Sequence, residues 1–239
     1  MEANSNFLKK AFEKKIFWAT AFLFPILMFI GFSRTYYLGY FFDAPALTNA
    51  IVHTHGIVMS LWVLFFCVQI ALVRTRNIKV HMTLGMFGVF LAVVVVISSL
   101  VTAYDSLLVR GVPIDGLSPH SFLIIPFTSL MVFVILFIAA IYYRKRPTEH
   151  KSLMFLTAVN FLPFAFSRMP FIPPEIQIPW AFGGPDLIAI AVFVWFSIKQ
   201  KKINKVFAAG LFLMIASQPL RIALMESPLW LNLVALVAP

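Results

Sequence analysis

Fifteen of the nineteen Lys and Arg residues fall in four short clusters, and between successive clusters lies enough apolar sequence to cross a membrane and return. The clusters are Lys9, Lys10, Lys14 and Lys15; Arg74, Arg76 and Lys79; Arg144, Lys145, Arg146 and Lys151; and Lys199, Lys201, Lys202 and Lys205. The other four, Arg34, Arg110, Arg168 and Arg221, fall in the alternate turns or beside them, where acids outnumber them. A helix needs about 20 apolar residues to cross the hydrocarbon core. Only 12% of the chain is charged, against about 25% in a soluble domain. This pattern excludes a soluble enzyme and predicts an all-α, polytopic membrane helical bundle. The net charge of +10 follows from the basic turns, so it records topology and not a nucleic-acid surface; the expected surroundings are lipid.

Seven spans are expected, at about 14–33, 47–73, 82–104, 119–143, 152–168, 185–199 and 206–225, forming a single transmembrane domain over 1–239. Cytoplasmic loops carry the excess of Lys and Arg. The N-terminus is therefore expected in the cytoplasm and the C-terminus outside, in a bacterial inner membrane. The first apolar stretch meets Gly31 and Ser33 without an A-x-A-like site, so it is expected to remain as a span. Residues 228–239 are too short to cross and are expected at the interface or as a cap. The Pro- and aromatic-rich segment 169–184 reads as an outer loop, either a lid or a connector. Cys67 is the only cysteine, which rules out an internal disulfide.

Polar side chains at membrane depth carry the information about function. Four of the five histidines sit at expected span ends: His55 and His120 outside, His81 and His150 inside. His53 is two positions from His55, so on a helix the two point about 200° apart and grip one ion poorly. His55 shares a stripe with Met59, Trp62, Phe66 and Gln69, and His53 shares one with Gly56, Ser60 and Cys67. Trp62 as a pocket wall and Gln69 as a polar anchor favour His55 as the ligand, with His53 in reserve. His120 follows Ser118 and Pro119, a helix-starting pair.

Imidazole is the natural axial ligand of haem iron. A bis-histidine haem b needs one His from each of two helices, and small residues where the flat ring meets backbone. Gly56 follows His55, and Gly85 and Gly88 lie four and seven positions beyond His81. The expected pairs are His55 with His120 and His81 with His150, holding one or two b haems. The outer pair carries this expectation more firmly, because the inner pair lies in wet, basic turns. Arg168 and Arg221 are placed to meet Asp186, Asp105 or a haem propionate. Asn160, Ser167 and Gln218 are further polar residues in or near spans.

The two halves of this histidine-bearing core, about 47–168, repeat weakly. RTRNIKVHMTLG and RKRPTEHKSLMF both read R-x-R, a gap, then H-x-x-L. Four central helices with histidines alternating outer, inner, outer, inner resemble the cytochrome b561 type of diheme membrane protein over about residues 45–170. The resemblance implies two b haems passing electrons across the membrane. The histidines here lie nearer the span ends than in that family. The H-x-H-G, H-x-x-L-G and H-K-x-L-M motifs also resemble an uncharacterised family of bacterial multi-pass proteins.

The expected function is a b-type haem protein transferring electrons across the inner membrane or at its outer face. No flavin or nicotinamide module is recognisable, so quinol or another redox partner would be needed. The alternative is a membrane transporter or respiratory-complex assembly factor without a cofactor. A third reading is a zinc-dependent intramembrane hydrolase using His53 or His55, His120 and Asp105, although the chain has no H-E-x-x-H. A retinal pigment is excluded, because 206–225 contains no lysine.

Overall fold

The computed structural model describes residues 19–20, 22–42, 49–112 and 117–238. Every element within them is helical. Helix α1 covers 22–32 and widens into a π-helical turn at Ser33–Tyr37. Helix α2 is Ala50–Arg74, and α3 is Ile78–Ala103, prolonged by π-helical Tyr104–Val109. Helices α4, Pro119–Phe122, and α5, Ile124–Tyr142, form one rod. Then come α6, Pro147–Val159; α7, Leu162–Phe166; α8, Gln177–Gln200; α9, Lys205–Leu224; and α10, Pro228–Ala235.

The helix ends follow from local chemistry. Asn49, Ser118, Asn204 and Ser227 each accept a main-chain N–H of the following first turn, satisfying donors that the helix itself leaves unpaired. Arg76 and Lys201 adopt positive φ in the turns after α2 and α8, where the chain must reverse.

Among the described residues five helices are long and apolar enough to cross a membrane: Ala50–Arg74, Ile78–Val109, Pro119–Lys145, Pro174–Gln200 and Lys205–Leu224. Two of the seven expected spans are not among these five. Positions 14–18 and 21 of the first lie outside the described residues. The fifth is interrupted, because α6 stops at Val159 and α7 starts at Leu162. Pro163 has no N–H to offer the Val159 carbonyl, and the Phe161 N–H reaches back only to Ala158, at 3.2 Å. The expected 169–184 loop is also shorter than read, since α8 already begins at Gln177.

The interrupted segment is the centre of the bundle. Leu156, Thr157 and Ala165 are fully buried. Helices α5, α8 and α9 pack around α6, and α8 also covers α7. From the other side α1 contributes Phe24 and Met28 to the same core. Gly31 lies so close to the Ala165 backbone that a β-carbon there would collide with it. Helices α2 and α3 form a hairpin against α5, sealed by a second cluster around Trp62, Val95 and Phe133.

Candidate functional site

The basic turns lie at one end of the bundle, and His53, His55 and His120 lie at the other. The Asn49 cap starts α2 so that His53 and His55 occupy its first turns on opposite faces. The His53 face docks on the end of α1. Tyr36 donates its hydroxyl to the His53 carbonyl at 3.3 Å, and the Tyr37 and Ser60 hydroxyls pair at 2.9 Å. The His55 ring turns to α3, with Nδ1 3.3 Å from Ser98 Oγ. His120 is engaged through its carbonyl, which accepts from Trp230 Nε1 at 3.0 Å and anchors α10. His55 and His120 thus face different neighbours, and among the described residues no hydrogen bond or ring contact joins them.

At the basic end the second pair does meet. The His81 and His150 ring centres are 6.4 Å apart, at an interplanar angle of 77°. The sequence gives the reason. Pro147 opens α6 directly after a tight turn at Tyr143–Lys145, which brings His150 back beside α5. There His150 Nδ1 donates to the Ala140 carbonyl at 2.8 Å. A carbonyl only accepts, so Nδ1 carries a proton, and in the neutral tautomer this leaves the lone pair on Nε2. His81 Nδ1 is buried without a partner, as are both polar atoms of the Gln69 carboxamide. The Gln69 main-chain carbonyl lies beside the His81 ring.

These two ends differ in their fit to a haem. Metal–nitrogen bonds near 2 Å set two opposed imidazole centres about 6 Å apart, and the His81–His150 spacing matches. Gly85, one turn beyond His81, has open space where a β-carbon would stand. Gly88 is instead covered by the Phe65 ring, and Gly56 by the Tyr36 ring. Gly88 lies on the His81 helix, so one of the two glycines expected to cradle a ring at the basic end is filled, and at the far end the Tyr36 ring occupies the face of Gly56. Trp62, expected as a pocket wall, is a core residue, 1% exposed and edge-on to Phe133 and Phe137.

The zinc arrangement is not assembled either. Asp105 is held by Arg110 Nε at 2.7 Å and Asn49 Nδ2 at 2.8 Å. Among the described residues no group of three or more His, Cys, Asp or Glu could hold a metal ion. Arg168 meets neither Asp105 nor Asp186. It donates to the Phe164 carbonyl at 2.7 Å and lies over the Phe32 ring.

A second polar site lies within the bundle. Asn160, Pro163, Phe182, Asp186, Gln218 and Arg221 line a small cleft with room for about one water molecule. Arg221 is 3% exposed. It donates to Ser129 Oγ at 2.7 Å and Ser217 Oγ at 2.8 Å, and Asn160 Nδ2 donates to the Ser129 carbonyl at 2.9 Å. Gln218 Nε2 donates to Asp186 Oδ1 at 2.8 Å. Sequence reading placed Arg221 within reach of Asp186 but did not gather Asn160 and Gln218 around them. A usable signal was present: each stands within three positions of a proline, Pro163, Pro185 or Pro219. A small apolar cleft lies beside Phe24 and Phe155. Neither cleft touches a histidine.

No family model, curated protein or solved structure matches this chain.

Proposed function

We propose that this chain is a seven-span membrane protein that holds one b-type haem between His81 and His150 and carries electrons at its basic end. The observation behind this reading is the pairing of two imidazoles from different helices, one with its tautomer fixed by a main-chain carbonyl. That second bond is how proteins orient a metal-binding histidine. The resemblance to the cytochrome b561 type supports the same reading. By the positive-inside rule the basic end is cytoplasmic, and the N-terminus lies there with it.

A bound haem would supply a one-electron couple. The remaining work falls to the chain. Ala140 orients His150, Gly85 leaves room beside α3, and the Gln69 carboxamide offers a hydrogen bond to the bound group. The donor and acceptor are separate molecules, such as a quinol or a soluble redox protein.

The test is an absorption spectrum of the protein purified from haem-replete cells, oxidised and dithionite-reduced. A Soret band with a sharp reduced α-band is expected. A colourless, folded preparation overturns the proposal.

A further inference from the structure

At the basic end two turns lie side by side. Helix α6 packs against both α8 and α9, and Lys151 Nζ on α6 stands 5.1 Å from the centre of the Phe196 ring on α8. The α5–α6 turn and the α8–α9 turn therefore share one face of the bundle. Lys145 and Arg146 from the first turn, and Lys201, Lys202 and Lys205 from the second, are exposed there. Glu149 is the one acid in residues 143–151 and 199–205. The positive-inside rule accounts for the sign of this end, but two further features go beyond it. Lys201 has φ 51°, the left-handed conformation that closes a helix and ordinarily takes glycine, so a cation stands where the backbone disfavours any side chain. Apolar side chains also stand exposed among the cations: Ile198 at 68%, Ile203 at 61% and Tyr142 at 77%. The cations thus lie where the apolar surface ends, at the depth of lipid headgroups.

We propose that this face binds anionic phospholipid, with the headgroup phosphate on the cations of both turns and the acyl chains along Ile198 and Ile203. Charge selects the class. A headgroup of net negative charge balances the surplus of cations, whereas a zwitterionic one also brings an ammonium group that the lysines repel. Basic sites between helices at the cytoplasmic level take such headgroups in other membrane proteins. An acidic soluble protein fits less well, because the isoleucines between the cations call for a hydrocarbon neighbour. The long lysine and arginine stems suit this depth, since they lie along apolar surface while the charge reaches the headgroups. This face is at the same end as the histidine pair but does not depend on haem.

The experiment is native mass spectrometry of the full chain from mixed micelles holding phosphatidylglycerol and phosphatidylcholine in equal amounts. Each cation near an anionic headgroup surface is worth about fivefold in binding. The wild-type chain is therefore expected to retain phosphatidylglycerol over phosphatidylcholine by at least about tenfold, and washing at high salt should remove the preference. Combining Lys145→Gln, Arg146→Gln, Lys201→Gln and Lys202→Gln should bring the two lipids near parity. Lys201→Gly suits its backbone conformation, so it keeps the fold and should still lower the preference about fivefold; it serves if the combined variant misfolds. Equal retention of the two lipids by the wild-type chain overturns the proposal, as does a preference that survives in both variants. Displacement of phosphatidylglycerol by an equal concentration of glycerol phosphate would assign the face to a free phosphate and overturn it. Salt-sensitive binding of polyglutamate with no preference between the lipids would assign it to an acidic protein and overturn it as well.

Discussion

The His150 ring stands 6.4 Å from that of His81 and is fixed by a 2.8 Å bond from Nδ1 to the Ala140 carbonyl. Among the described residues no ring contact or hydrogen bond joins His55 to His120. The two pairs therefore separate by mutation. His81→Ala and His150→Ala should each abolish the Soret band, whereas His120→Ala and His55→Ala should keep it. Haem content per polypeptide, from the pyridine haemochrome spectrum, reads this directly. Loss of haem from His120→Ala with retention in His150→Ala would falsify the assignment.

Arg221 and Asp186 should be coupled in stability. Arg221→Met removes the hydrogen bonds to Ser129 and Ser217 and takes the nearby positive charge from half-buried Asp186, and is expected to cost about 1–3 kcal/mol. Adding Asp186→Asn should recover a substantial part of that loss, because the double variant buries no lone charge. Unfolding in mixed micelles across the four-variant cycle measures the coupling. Simple additivity would show that the two charges do not sense each other.

These two sites were unequally legible in the sequence. The His53 and His55 faces were correctly separated, because a helix puts residues two apart on opposite sides whatever surrounds it. Which face meets which helix was not readable. In a bilayer both the core side and the lipid side of α2 are apolar, so Leu61 at 50% exposure and Trp62 at 1% look alike as sequence. The same ambiguity concealed the meeting of Asn160, Asp186 and Gln218, whose helices carry apolar residues all round. The basic clusters marked the turns, because charge is excluded from the hydrocarbon.

Gly31 should be intolerant and Gly85 tolerant. A β-carbon at Gly31 strikes the Ala165 main chain, which cannot swing aside, whereas at Gly85 it meets nothing within 4 Å. Gly31→Val is expected to destabilise by about 1–3 kcal/mol or more. Gly85→Ala should leave stability unchanged or raise it by about 0.5–1 kcal/mol. Thermal melts in one detergent compare them.

Trp62 should act through its shape and not its N–H. Its Nε1 has no hydrogen-bond partner, and its ring packs edge-on to Phe133 and Phe137. Trp62→Phe is expected to cost less than about 1.5 kcal/mol, and Trp62→Ala about 3–5 kcal/mol. Similar losses from both, measured by unfolding, would point to a role for the indole nitrogen.

The topology can be read by labelling. In a Cys67→Ser background, Ser227→Cys should react with an impermeant maleimide in intact cells. Arg146→Cys should react only after lysis. The reverse pattern would invert the orientation drawn from the basic clusters.

The interruption of α6 and α7 has a consequence for biogenesis. The segment from Pro147 to Phe166 contains Asn160, Ser152, Thr157 and Pro163, all of which make solitary partition into lipid unfavourable. In the finished bundle it touches helices that emerge both before it, α1 and α5, and after it, α8 and α9. Its settling must therefore await the last third of translation. A nascent chain stalled after residue 170 is expected to keep this stretch extractable by alkaline carbonate or held by the insertion machinery, and release of the remaining helices would lock it in place.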